Sequence, residues 1–148
     1  MIYCNSLWGN TYGNTLKPLK TIQKRVIRTI TSSGRYTHTA PLFDQLKIFD
    51  VKKTNTFYSA LYVYKCVNNI LYINNNFSFA VETHNRDLRD PLRLRGPRWG
   101  SKQRQQYIGC HGCNAWNSLP LNIRASDSLT IFKRRLKDFV LNETSSNA

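Results

Sequence analysis

Residues 16–31 read LKPLKTIQKRVIRTIT, and this stretch decides the class of fold that the sequence predicts. Its apolar residues recur at spacings of three and four, which is the period of one face of an α-helix. This apolar stripe consists of Leu16, Leu19, Ile22, Val26, Ile27 and Ile30. Pro18 falls in the first turn and Gly34 lies just past the end, while Thr15 or Asn14 can cap the helix. One face of this helix is therefore predicted to pack in a core.

The remaining circumference of this helix is basic. Its charged residues are Lys17, Lys20, Lys24, Arg25 and Arg28. Such a face can bind phosphates, and it can equally be the solvated outer face that any amphipathic helix has.

Three later stretches also show helical signals. Thr39 can cap a short helix with Pro41 in its first turn, and its buried side would be Leu42, Phe43 and Leu46. Asp50 can cap a longer helix that runs to about Val67. The buried side of this longer helix would include Val51, Phe57, Ala60, Leu61, Tyr64 and Val67. Tyr58, Tyr62 and Tyr64 are interpreted as packing residues more readily than as base-stacking ones.

The last helix is predicted from its cap and its stripe. Ser126 or Ser128 can cap it, and Asp127 suits its positive end. Its apolar stripe is Leu129, Phe132, Leu136, Phe139 and Val140.

The region between the helices is rich in turn residues and charge. Gln105–Ile108 is interpreted as a short strand, and Asn114–Ser118 as a helical turn closed by Pro120. The sequence thus predicts a mainly α protein: a small domain of three to four amphipathic helices with a long irregular basic loop and room for short strands. The predicted divisions are a helical region at 1–67, a basic loop or linker at 68–103, a helical block at 104–141 and a disordered tail at 142–148.

The charge balance points to an anionic partner. The chain has 22 Lys and Arg residues against 8 Asp and Glu residues, which gives a net charge of +14. Phosphate backbones are the commonest partners of so positive a surface, and acidic membranes are the other candidate. The predicted phosphate contacts are Lys20, Lys24, Arg25, Arg28, Arg93, Arg95, Arg98, Arg104, Lys133, Arg134 and Lys137. Trp99 and Tyr107 are predicted to stack on bases, whereas Trp8 and Trp116 are assigned to packing.

Catalytic patterns are missing from the sequence, and one metal motif is incomplete. No two acidic residues are adjacent, and Asp87 and Asp90 are interpreted as charge partners of Arg86, Arg89 and Arg93. Cys110 and Cys113 form a C-x-x-C around His111, but a structural zinc site needs four ligands. The remaining candidates, Cys4, Cys66, His38 and His84, supply no second pair, so neither a metal nor any other cofactor is predicted.

No targeting segment is recognisable. The N-terminus lacks a basic head followed by an apolar run, and the most apolar stretch, residues 57–73, is interrupted by Lys65, Asn68 and Asn69. We therefore expect an intracellular protein, nuclear and/or cytoplasmic, without a membrane partner.

Five blocks, taken in order, resemble a known family. They are YCNSLWGNTY at 3–12, LKPLKTIQKRVIRTI at 16–30, HTAPLFDQLKI at 38–48, AWNSLP at 115–120 and SLTIFKRRLK at 128–137. Together they resemble the region downstream of the polymerase palm in reverse transcriptases of non-LTR retrotransposons of the LINE and jockey type. Residues 68–100 match that region only loosely.

The resemblance implies a reverse transcriptase origin without polymerase activity, because the palm with its paired aspartates would lie before Met1. In that family the region follows or completes the helical thumb and helps to hold template RNA and target DNA. The implied function is non-catalytic binding of RNA and/or DNA. The alternatives are a structural module that docks on the reverse transcriptase core of the parent element, or a transposon relic without function.

Overall fold

The computed structural model describes residues 5–71, 77–83, 90–96, 101 and 106–143. The described part is mainly helical, as predicted, and its regular elements are all α-helices. In chain order they are α1 (Asn5–Trp8), α2 (Gly13–Ile30), α3 (Ala40–Leu46), α4 (Val51–Val67), α5 (Ala80–Thr83), α6 (Ile108–Asn117), α7 (Leu121–Arg124) and α8 (Leu129–Asn142).

Helix α4 is the central element, and it begins where the sequence predicts. The side chain of Asp50 accepts a hydrogen bond from the backbone N–H of Lys53 at 2.7 Å, which satisfies one of the free donors of the first turn. The helix packs against α1, α6 and α8. Neighbours on several sides explain why Asn55, Ser59 and Val63 are buried in addition to most of the predicted apolar residues.

An aromatic cluster joins α4, α6 and α8. Tyr64 stacks on Phe132 with ring centroids 4.1 Å apart, and Trp116 lies 6.0 Å from Phe132. The Tyr64 hydroxyl donates to the Ser126 carbonyl at 2.8 Å, and the Trp116 indole donates to the Leu92 carbonyl at 2.8 Å. These rings are therefore buried without losing their polar partners. The assignment of Trp116 and Tyr64 to packing is confirmed; Trp8 is half-buried.

Helix α8 confirms its predicted cap and stripe. Ser128 accepts a hydrogen bond from the Ile131 N–H at 3.3 Å. Phe132, Leu136 and Val140 are buried at successive helical spacings. The helix thus closes the core against α4.

Helix α2 differs from its prediction at both ends and along its stripe. It begins at Gly13 after Tyr12, without a side-chain cap, so that Pro18 lies inside the helix and not in the first turn. It ends at Ile30, and the residue in the left-handed region just past its end is Ser32, with a φ of 50°, and not the predicted Gly34. The Ser33 N–H then bonds to the Arg28 carbonyl, as in a Schellman motif.

The apolar stripe of α2 is only partly covered by the rest of the described structure. Ile27 is buried, but Ile22, Val26 and Ile30 are 51%, 49% and 60% exposed. The helix is held to the segment before α4 by Gln23, whose amide donates to the Phe49 carbonyl and accepts from the Val51 N–H. The expectation that the whole stripe packs in this core is therefore wrong, because α2 docks along a narrow seam.

Part of the region predicted as a basic loop contributes to the core. Phe79 and Leu94 form an isolated antiparallel bridge, and Leu94 is buried. The Asn117 side chain accepts from the Leu94 N–H and donates to its carbonyl, both at 2.9 Å. One amide thereby fixes this segment to the end of α6.

The helix that contains Trp116 begins earlier in the chain than the sequence predicts. Ile108 begins α6, so the described residues of the predicted strand at Gln105–Ile108 are not a strand. The predicted turn at Asn114–Ser118 is the last part of this helix. Ile108, Cys113, Ala115 and Trp116 are buried in this helix, and its packing against α4 outweighs the local strand signal.

Gly112 allows α6 to approach α4 closely, and its replacement by alanine should lower stability. A Cβ atom at Gly112 would lie 2.8 Å from Cγ2 of the fully buried Val63. Overpacking costs about 1–3 kcal/mol, which exceeds the roughly 1 kcal/mol that alanine gains in a helix. We expect Gly112→Ala to lower the free energy of unfolding in urea by about 1 kcal/mol. Gly13→Ala is the control, since its Cβ would meet nothing within 4 Å; equal losses in both variants would contradict this packing.

Candidate nucleic-acid interface

The predicted phosphate contacts on α2 lie on the side of the helix opposite Val26, where Lys20 and Lys24 neighbour the buried Ile27. Lys24 and Arg25 are exposed, and Lys20 and Arg28 are half-buried. The Arg28 Nε donates to the Thr37 carbonyl at 3.0 Å, which holds its guanidinium over the loop that follows the helix. This face can present several cations at once to an anionic ligand.

A concavity of about 620 Å³ lies at the C-terminal end of this face. It is lined by Arg25, Arg28, Thr29, Ser33, Arg35 and Tyr36, and we call it the α2-end concavity. No acidic side chain lines it in the described part of the chain. Arg35 and Tyr36 were not among the residues predicted from the sequence. The signal that could have shown them is the Gly34-Arg35-Tyr36 turn directly after a basic helix.

The predicted contacts on α8 form a second basic surface. Lys133, Arg134 and Lys137 are exposed on it. Arg134 and Lys137 share an open groove of about 650 Å³ with Lys47, which follows α3. Two carboxylates, from Asp44 and Asp138, also line this α3–α8 groove. Its field is therefore mixed, whereas that of the α2-end concavity is of one sign.

The remaining predicted residues are spread over other parts of the chain. Arg93 and Arg95 are exposed on either side of the buried Leu94. Tyr107 is 55% exposed just before α6. Arg98, Trp99 and Arg104 lie outside the described residues. The described contacts thus lie on α2, on α8, on either side of Leu94 and just before α6.

The C-x-x-C motif lies on α6 and its cysteines differ in exposure. Cys113 is buried, and its thiol lies 3.9 Å from the Arg95 carbonyl. Burial, together with the neighbouring Cys110, raises the pKa of the Cys113 thiol to about 11. Burial therefore disfavours the thiolate form of Cys113. Among the described residues, no group of three or more His, Cys, Asp and Glu side chains is placed to hold a metal ion.

His111 belongs to a polar cluster that joins α6 to Asn55 of α4 and to Asn10, which follows α1. The Asn55 amide donates to Asn10 Oδ1 at 2.6 Å and lies 3.3 Å from His111 Nε2. This amide can donate to Nε2 only when the imidazole is neutral with its proton on Nδ1. Burial lowers the pKa of His111, which favours the same neutral form. The cluster is therefore a structural contact of an uncharged histidine.

Asp90 has a different partner from the one expected. Its carboxylate forms an ion pair with Arg124 of α7 at 2.8 Å, instead of with Arg93. The expected partners Arg86 and Arg89, and Asp87 itself, lie outside the described residues. Arg124 is buried, so this pair fixes the segment that contains Asp90 to the core.

Comparisons with known proteins return no relative. No protein-family model, no curated protein and no solved structure matches the chain. In the described residues, no helix combines the length and the apolar character that crossing a membrane requires.

Stability should decrease below neutral pH because of His111. A lowered pKa means that the folded state binds fewer protons than the unfolded chain, so its stabilising contribution is complete above the unfolded-state pKa of about 6.5. That contribution is lost as the pH falls from there through the folded-state pKa. We expect His111→Gln to flatten the dependence of urea stability on pH between pH 7.5 and 5. His38→Gln is the control, since His38 is exposed; an unchanged profile in His111→Gln would show that this histidine does not couple to folding.

Proposed function

We propose that the chain is a non-catalytic, sequence-tolerant RNA- or DNA-binding module of a non-LTR retrotransposon reverse transcriptase. The observation that supports it best is the placement of the predicted cations. None of those in the described part of the chain is buried, and they lie on α2, on α8 and beside Leu94. The five sequence blocks at 3–48 and 115–137 support the reverse transcriptase origin.

Binding of this kind is driven by charge and does not need base recognition. Each phosphate that a lysine or arginine neutralises releases a condensed counterion, which favours binding at low salt. Contacts to the backbone position a nucleic acid without reading its sequence. With a net charge of +14, the chain also attracts such a partner from a distance. The expected partners are RNA and/or DNA in the nucleus and/or cytoplasm.

The first test is the salt dependence of binding to labelled single-stranded RNA. We expect log affinity to fall with log salt at a slope of about −3 to −6, because the slope is about −0.7 for each phosphate neutralised on a single strand. Lys20→Ala with Lys24→Ala should flatten the slope by about 1.4. These two residues are on the basic face of α2, and neither lines the α2-end concavity.

The matched control is Lys52→Ala with Lys65→Ala, which removes the same charge from α4. This control should change the slope much less. If the two double variants flatten the slope equally, binding follows net charge alone and the proposed faces are not the interface. If the parent protein shows no binding at moderate salt, the proposal is wrong.

A second function is favoured by the exposed apolar residues of α2. Ile22, Val26 and Ile30 lie on one side of the helix and are all about half exposed or more. Contiguous exposed apolar surface marks interaction sites. In the resemblance to reverse transcriptases, the polymerase core of the parent element is the natural occupant. This docking function is compatible with a basic outer face on the same helix.

The exposed apolar residues Ile22, Val26 and Ile30 should make the isolated chain self-associate once salt screens the repulsion between the positively charged chains. We expect sedimentation velocity in 0.5 M salt, about 3–10 times the ionic strength of a usual buffer, to show association that increases with concentration. The triple variant Ile22→Gln, Val26→Gln, Ile30→Gln should abolish this association with little change in stability, because the three side chains are already about half exposed or more. Asn14→Gln with Thr21→Gln serves as the control, since both residues are exposed on α2. A parent chain that stays monomeric at high concentration argues against docking through this face.

A further inference from the structure

The α2-end concavity combines arginine, hydroxyl and aromatic side chains in one place. We propose that it binds one phosphodiester of a single-stranded nucleic acid together with the adjacent base. The phosphate lies among the guanidinium groups of Arg25, Arg28 and Arg35, and the base stacks on Tyr36. This inference rests on the proposed nucleic-acid binding and names the site at which a single strand is held.

The loop that carries Arg35 and Tyr36 is fixed by its own backbone. The Ser33 N–H bonds to the Arg28 carbonyl at 2.9 Å, and the Thr37 N–H bonds to the Gly34 carbonyl at 3.0 Å. The second bond closes a turn in which Arg35 and Tyr36 occupy the two central positions. Both side chains therefore project from a defined backbone, and less ordering is needed when a ligand binds.

Arg28 is oriented before any ligand arrives. Its Nε donates to the Thr37 carbonyl at 3.0 Å, so that one edge of the guanidinium is anchored to the turn. The terminal nitrogens remain as a planar pair of donors. A phosphate accepts two parallel hydrogen bonds from such a fork, which lysine does not provide.

The position of these charges is not explained by helix stability alone. A cation near a helix C-terminus is stabilised by the macrodipole, which accounts for Arg28 in the last turn of α2. Arg35 lies beyond the helix, where the dipole effect has fallen off. The guanidinium groups around the concavity repel one another, and no acidic side chain in the described structure lines it. A bound phosphate relieves this repulsion.

Tyr36 indicates that the ligand carries an aromatic group beside its phosphate. Its side chain is 90% exposed, so burial in the fold does not account for its aromatic ring. An exposed ring next to arginines is the arrangement by which single-strand binders stack bases. The α3–α8 groove lacks both features, because Asp44 and Asp138 line it and no aromatic residue does.

The experiment uses the full chain and a uridine tetranucleotide, with a backbone-matched abasic tetramer as the second probe. Binding is followed by NMR through the Arg Nε–H signals and the Tyr36 ring signals, which also give the affinity. We expect the uridine tetramer to shift the Arg28 and Tyr36 signals. Arg35→Lys should weaken its binding about tenfold although the charge is retained. Tyr36→Leu should also weaken it about tenfold, while leaving the abasic tetramer unaffected.

Arg135→Lys is the matched control, since Arg135 is exposed on α8 and donates to the Asn122 carbonyl. An equal loss in Arg135→Lys and Arg35→Lys would overturn the site, and so would equal binding of the abasic and uridine tetramers. Binding to phosphatidylserine vesicles that depends on Arg35, without binding of the tetranucleotide, would assign the concavity to a membrane surface and overturn the proposal.

Failure of this inference in the NMR experiment can be distinguished from failure of the proposed function in the salt-dependence test. If long RNA binds with a steep slope but the tetramer leaves Arg28 and Tyr36 unshifted, the wider basic faces bind nucleic acid and this inference is wrong. A second outcome is that the tetramer shifts the Arg28 and Tyr36 signals while the salt slope for long RNA is unchanged by Lys20→Ala with Lys24→Ala. In that case the concavity is supported, and the proposal that the wider α2 face binds RNA is wrong. If neither RNA binds, both proposals are wrong.

Discussion

The stacking of Tyr64 on Phe132 is the contact on which the rest of the fold depends. The two rings, 4.1 Å apart, join α4 to α8, and Trp116 brings α6 to the same cluster. Aromatic pairs contribute about 0.5–1.5 kcal/mol beyond the area that they bury. The Tyr64 hydroxyl and the Trp116 indole also reach backbone carbonyls, of Ser126 and Leu92. Segments that have no regular structure of their own are thereby tied to the core through side-chain donors.

This distribution of packing leaves α2 available for other roles. The helix is tied by Gln23 to residues 49–51 and buries Ile27, whereas most of its circumference is accessible. Residues at the edge of a core can vary in charge with little effect on stability, since surface substitutions usually change it by about 0.5 kcal/mol or less. A helix held by a narrow seam can therefore carry a dense row of cations on one side and an apolar strip on another. The two proposed functions use these different sides.

The sequence predicts those parts of the fold whose signals are local. Asp50 and Ser128 cap their helices because a side-chain oxygen three residues from a backbone N–H is a local geometry. The strand expected at Gln105–Ile108 is wrong because Ile108 is buried as the first residue of α6, a helix whose packing on α4 overrides local preference. Coverage of the apolar stripe of α2 depends on which elements pack against the helix. The helical spacing of the apolar residues cannot show which elements these are. The pairing of Asp90 with Arg124, 34 residues away, is likewise a consequence of tertiary structure.

For the candidate site, the sequence predicts the charge but not the geometry. The composition indicates that cations are abundant, and the helical period indicates which of them share a face of α2. Arg35 lines the same concavity as Arg25 and Arg28 because of the turn at residues 34–37, and helical periodicity does not predict where such a turn falls. Conversely, Asp44 and Asp138 lie far apart in sequence from each other, yet they meet at the α3–α8 groove and reduce its positive field. The sign of the charge around each of these two concavities is therefore set less by the number of basic residues than by where the fold places its few acids.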